Sequence, residues 1–95
     1  MIEENSSALA RERPLANPYV GPVPFQDEIN LKFEQGHDVN HIKLYNVLGE
    51  LIYQQEVMQA SIIVNINSSN FKSGVYLVEL QRNGKQSMIK RLVKR

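Results

Sequence analysis

Apolar and polar residues alternate with a period of two along most of this chain. Ile29, Leu31 and Phe33 alternate with Asn30, Lys32 and Glu34, which places three apolar side chains on one face of an extended segment. The pattern returns at Ile42 and Leu44, then at Leu51, Tyr53 and Val57, then at Ile62, Val64 and Ile66. It appears again from Val75 to Gln81 and in the last segment, which ends at Arg95. Turn formers punctuate these runs. Gly36 to Asn40 is expected to close the first pair, Gly49 separates the second from the third, Gln59 to Ser61 precedes the fourth, and Ser68 to Ser73 precedes Val75. Asn83-Gly84 is the strongest hairpin signal, because a two-residue turn of the favoured type needs positive φ and these residue types tolerate it. Tyr19 to Phe25, broken by Pro22 and Pro24, reads as an opening strand at a sheet edge. About seven short strands and no helix of ordinary length predict an all-β fold, an immunoglobulin-like antiparallel β-sandwich.

Residues 1–18 show neither period. They mix Glu, Asn, Ser and Arg and close with Pro14 and Pro18, so they read as a flexible linker before a domain over residues 19–95. At 95 residues the chain holds one modest core, and it has no cysteine with which to staple it. No run of about 18 apolar residues is present to span a bilayer as a helix. Glu3 and Glu4 stand where an export leader carries basic residues. Two expectations follow: a protein that works inside the cell, or the end piece of a longer exported protein.

Charge changes the picture more than composition does. The net charge is +1, yet all six Lys and Arg after Glu79 lie in a stretch with no acid, and the ten acids all lie at or before that residue. The basic residues are interleaved with Met88, Ile89, Leu92 and Val93, so they sit on a strand and do not form a disordered arm. Phosphate contacts by such a strand lack nearby exposed aromatics for base stacking, and the rest of the chain is acidic; no nucleic-acid partner is expected.

Little else offers chemistry. His37 and His41 have the spacing of two ligands on a helix, but Gly36, Asp38 and Asn40 place them in an expected hairpin loop, and no metal site or cofactor is predicted. Asp27 and Glu28 face opposite ways on a strand. There is no thiol, no glycine-rich phosphate loop and no local Ser, His and acid motif, so the chain is not expected to be an enzyme. Asn5-Ser6-Ser7 and Asn67-Ser68-Ser69 match the glycosylation acceptor pattern at a length chance explains. Gly74 lets the chain turn into a strand. Tyr76, two residues on, is expected to bury its ring and return its hydroxyl to an upstream backbone group, as the tyrosine corner does.

From about Val23 to Arg95 the chain resembles the C-terminal sorting domain of the type IX secretion system. Pro22, Val23, Pro24 and Phe25 resemble the family's Pro-Asn-Pro-aromatic opening, with Val23 in place of Asn, and Ile29, Leu31 and Phe33 its first alternating strand. Ile42, Lys43, Leu44, Tyr45 and Asn46, then Gly49, Leu51 and Tyr53, resemble its central strand, turn and strand. Ile66, Phe71, Ser73, Gly74, Val75, Tyr76, Val78 and Leu80 resemble its most recognisable stretch, with Phe71 where Leu is commoner, and Lys90 and Lys94 its basic ending. The resemblance implies an immunoglobulin-like sandwich without catalysis. It implies an upstream cargo in the same polypeptide, passage through the periplasm to the cell surface or beyond, and docking on outer-membrane translocon and shuttle proteins. It also implies removal by a sortase that cuts in residues 1–18. Gly74, Tyr76, Lys90, Lys94 and Arg95 are the residues expected to serve recognition. The alternative is a stand-alone adhesion or carbohydrate-binding module of the same architecture. Against it, Tyr19, Tyr45, Tyr53 and Tyr76 fall on separate strands, and Tyr53 and Tyr76 are expected to be buried.

Overall fold

The period-two segments become seven strands in the computed structural model, which describes residues 18–95. They are β1 (Tyr19–Gly21), β2 (Glu28–Lys32), β3 (Val39–Asn46), β4 (Leu51–Glu56), β5 (Ile63–Asn67), β6 (Gly74–Arg82) and β7 (Lys85–Lys94). Two antiparallel sheets result, one ordered β1-β2-β5 and the other β4-β3-β6-β7. This is the expected seven-strand immunoglobulin-like sandwich. The linker read over residues 1–18 lies outside the described residues except for Pro18.

The core follows from the alternation. Ile29 and Leu31 of β2, with Val64 and Ile66 of β5, face Ile42 and Leu44 of β3, Val78 and Leu80 of β6 and Leu92 of β7, and all are buried. Paired residues keep to one face: Ile29 lies opposite Ile66, Leu44 opposite Val78, and Ile42 opposite Leu80. The β6–β7 hairpin turns on Asn83 and Gly84, as expected, and Gly84 holds φ at +63°.

Three expectations need correction. Gly36 to Asn40 does not close a hairpin. It carries the chain from β2 in one sheet to β3 in the other, so His37 lies in a crossover and His41 on a strand. The opening strand is shorter than Tyr19 to Phe25: only Tyr19–Gly21 pairs with β2, and Phe25 makes a single parallel bridge to Lys94. Leu51 and Ile62 are not core residues, being 45% and 44% exposed. A bulge between Leu44 and Tyr45 sets Leu51 opposite Tyr45 on the outer face, and Ile62 precedes β5.

The crossover is held by side chains. The Val39 N–H donates to His37 Nδ1 at 3.1 Å, and His37 Nε2 donates to the Ser61 carbonyl at 2.7 Å, while the ring packs on Phe33 with centroids 4.7 Å apart. His41 Nε2 meets Gln54 Oε1 at 3.0 Å across β3 and β4. The two histidines are thus struts on separate partners. Asp38 ties the crossover to the β6–β7 hairpin: it accepts from Arg82 Nε and from Lys85 Nζ, each at 2.9 Å, and its carbonyl accepts the Asn83 N–H at 3.0 Å. The Arg82 guanidinium, with Lys85 assisting and partial burial opposing, holds the Asp38 carboxyl down at about 2, below its ordinary 3.8.

Because the folded-state value lies below the unfolded one, Asp38 contributes stability above pH 4 and loses it as the pH falls towards 2. Urea midpoints of the wild type and Asp38→Asn, measured across that range, should converge at the acid end and separate at pH 6 to 7, with the variant the less stable.

Candidate functional site

Three stretches far apart in sequence meet at one end of the sandwich. Phe25 is fully buried and uses its backbone to close the free side of β7: its N–H donates to the Val93 carbonyl, and its carbonyl accepts the Arg95 N–H, both at 2.9 Å. Its ring stands edge-on to Phe71 and Tyr76, at centroid distances of 6.3 and 5.9 Å, while Phe71 and Tyr76 lie 5.3 Å apart. The segment after Pro24, the turn before β6 and the end of β7 therefore share one aromatic cluster.

Tyr76 behaves as its position predicts. The ring is buried and the hydroxyl donates to the Lys72 carbonyl at 2.7 Å, four residues upstream. Gly74 opens β6 with φ at +142°, a backbone state that side-chain-bearing residues rarely adopt, although a Cβ built there would meet nothing within 4 Å. Its requirement is conformational and not steric. The neighbouring Ser73 hydroxyl donates to the Arg95 carbonyl at 3.2 Å, which ties this turn to the end of the chain.

Lys94 departs from its expected place on a solvent-facing basic strand. Along β7, Met88, Lys90, Leu92 and Lys94 share the inward face, whereas Ile89, Arg91 and Val93 point outward. Lys94 is only 9% exposed. Its ammonium donates to the carbonyls of Gln26 and Ser68, the latter at 3.0 Å, and lies 5.8 Å from the Phe25 ring centroid. A buried ammonium needs such partners, since without them its desolvation is unfavourable by several kcal/mol (about 2–7 even for an unpaired neutral polar group). Of the other residues expected to serve recognition, Lys90 is half-buried on the same face and the Arg95 side chain is exposed. The structure thus gathers Gly74, Tyr76, Lys94 and Arg95 at one end, with Lys90 further along β7.

Ser68 is the participant that the sequence least advertises. Ser68 is fully buried; its hydroxyl donates to the Gln26 carbonyl at 3.3 Å and its N–H to the Asp27 carbonyl at 2.9 Å. Its signals in the sequence are a place at the start of the turn before β6 and one in an acceptor tripeptide. In the fold Asn67 Oδ1 instead accepts from the backbone and hydroxyl of Ser69, at 3.0 and 2.8 Å, which makes a local turn. The tyrosines form no common platform among the described residues: Tyr19 and Tyr45 lie on different sheets, Tyr76 is buried and Tyr53 packs partly against the core.

The profile of the secretion system C-terminal sorting domain family matches residues 19–95, the whole of the described sandwich from β1 onward. The chain belongs to this family. Of the stretches that carried the resemblance, Pro22 to Phe25, Phe71 to Tyr76 and the end of β7 meet around the cluster just described. An ulvan lyase of Nonlabens ulvanivorans is 26% identical over 80 residues, which are 84% of this chain and 15% of that protein. The sorting domain therefore spans less than a sixth of that relative. Among solved structures, a DUF3244-family protein with an immunoglobulin-like β-sandwich fold from Bacteroides vulgatus superposes with a TM-score of 0.67 at 15% identity, over 83% of this chain and 92% of that one. Dimeric latent PorU from Porphyromonas gingivalis superposes with a TM-score of 0.59 at 17% identity, over 81% of this chain and 9% of PorU. Both establish the fold.

Replacing Lys94 by Met keeps the apolar stem and removes the ammonium. Both carbonyls retain a second donor, Ser68 Oγ for Gln26 and the Phe71 N–H for Ser68. The expected loss is that of charged hydrogen bonds, about 1.5–3 kcal/mol, against about 0.5–1.5 kcal/mol for Tyr76→Phe. Chemical denaturation of the three proteins measures both; a Lys94→Met domain as stable as the wild type would show that the ammonium fastens nothing.

Proposed function

We propose that this domain is the signal that takes an upstream cargo through the outer-membrane translocon of the type IX system, and that a sortase then removes it by cutting within residues 1–18. Membership of the sorting-domain family supports its role as a C-terminal secretion signal. The observation that carries this reading is the meeting of Pro22 to Phe25, Phe71 to Tyr76 and the end of β7 at one end of the sandwich, where their packing fixes the shape a partner would meet.

Within that reading the recognition residues divide by what they touch. Tyr76, Gly74 and Lys94 act through the fold: they shape the turn before β6 and fasten the end of β7. Arg95, exposed at the same end, and Lys90, half-buried on β7, carry the charge that translocon or shuttle proteins read. The cargo travels through the periplasm and arrives at the surface or in the medium.

A secreted reporter fused ahead of residues 1–95, expressed in a bacterium with a working type IX system, tests this. The wild-type fusion should leave the cell, and mass spectrometry of the released reporter should place its new C-terminus within residues 1–18. Changing Lys90 and Arg95 together to Ala should lower export at least several-fold, beyond what the accompanying fall in melting temperature explains, and Arg95→Ala alone should lower export with the melting temperature little changed. Lys94→Met should lower both together. A wild-type reporter that stays in the periplasm overturns the proposal, and a cut elsewhere overturns its second half.

A further inference from the structure

The two edges of the four-stranded sheet differ in character. β4 is one edge and β7 the other. β4 carries Glu56 and no base, whereas Lys85 to Arg95 carry no acid, and of their five bases Lys85 pairs with Asp38 and Lys94 is buried while Arg91 and Arg95 stand exposed. On β7 the free side begins to be used at its far end, where Val93 and Arg95 bond to Phe25. Hydrogen-bonding direction alternates along an antiparallel strand, so the N–H and C=O groups of Arg91 and Ile89 point to that same free side. Among the described residues no strand lies beyond them. Nor does β7 contain a proline to block pairing.

A pocket lies at the start of this edge. It has a volume of about 200 Å³, a floor of Phe33, Val39 and Met88, and a rim that includes Asp38, Arg82 and Lys85. Asp38 is matched by Arg82 and Lys85, and Glu34 also lines the pocket, so its two acids and two bases balance and the basic character of this edge comes from β7 beyond the pocket. Met88 belongs to the inward face of β7 and Ile89, 59% exposed, to the outward face. A strand laid along the edge would set its inner side chains in line with Met88 and the pocket, and its outer ones beside Ile89 and Arg91.

We infer that β7 between Ile89 and Arg91 is a strand-addition site for an extended acidic segment of a partner protein, with one large aliphatic side chain of that segment seated in the pocket beside Met88. Charge selects the occupant. Bases along an edge oppose the approach of a second basic edge, so β7 against β7 of another copy is disfavoured, while an acidic strand gains both backbone bonds and ion pairing. That the partner belongs to the export machinery rests on the preceding proposal; the mode of docking does not.

Two measurements test the inference. In the first, the isotope-labelled full chain is mixed at millimolar concentration with a blocked nonapeptide of alternating Leu and Glu, and separately with its Leu and Lys counterpart. The acidic peptide should slow amide exchange at Ile89 and Arg91 at least tenfold and shift the Met88 methyl signal, and the basic peptide should do neither. Equal effects of the two, no protection, or protection only on β4 overturns the inference, as does slowed exchange that sedimentation traces to pairing between copies. In the second, the reporter carries Ile89→Pro, which removes an amide that β6 does not use, or Ile89→Thr, which keeps it. Proline should cut export at least tenfold with little change in melting temperature, and threonine should export normally. Normal export of a folded Ile89→Pro fusion overturns strand addition and leaves the sorting role standing, whereas failure of the unaltered fusion counts against the sorting role alone. Should the proline variant unfold, the peptide experiment on the unaltered chain decides between strand addition and its absence.

Discussion

A lysine ammonium inside a small β-sandwich is an unusual place to find the fastening of a fold, yet the end of this molecule is organised around it. Lys94 reaches the carbonyl of Gln26, 68 residues away, and that of Ser68, 26 residues away, beneath the face of Phe25. Removing a charge from water is unfavourable, and here two carbonyl dipoles and an aromatic face replace the lost hydration. The arrangement is particular to lysine. A guanidinium carries its donors in a planar fork on a differently shaped stem, and an apolar side chain leaves the two carbonyls without their charged donor. Once the ammonium is in place, the chain after Pro24, the turn at Ser68 and the last strand are held to one another, and the Phe25, Phe71 and Tyr76 rings close over the junction.

Much of the architecture is readable in the chain because local chemistry and global packing agree. Ile29, Leu31 and Phe33 alternate and are buried. Asn83-Gly84 signals a hairpin and forms one. Tyr76 stands two residues after Gly74 and makes the backbone contact that its position foretells. The failures share a cause. Turn formers at Gly36 to Asn40 say that the chain changes direction, but not which sheet it rejoins, and that choice depends on contacts with β5 and β6. The outward placement of Leu51 depends on a bulge opposite Tyr45, and no residue type announces it. Lys94 misleads for another reason: a charge near the end of a strand reads as solvent-facing, but a long apolar stem lets its head find carbonyls inside.

The candidate site is legible as a set of stretches and not as a place. Pro22 to Phe25, Phe71 to Tyr76 and Lys90 to Arg95 each stand out in order along the chain, whereas their meeting is a property of the sandwich. Folding also sorts the basic residues by parity. Lys90 and Lys94 face inward and Arg91 outward, so a run that looks uniform in sequence becomes one clamp and a charged rim. The stretch that matches this chain in the ulvan lyase is only 15% of that protein.

The junction at Phe25 has a temporal meaning. Its two backbone bonds are to Val93 and Arg95, and the clamp comes from Lys94, so the first part of the domain waits for its last three residues before that end can close. A ribosome makes residue 25 long before residue 95. During synthesis this end of the sandwich cannot close until residues 93–95 have been made. A chain cut short before Val93 would thus lack the backbone bonds and the ammonium that close this end of the sandwich, as well as the missing residues.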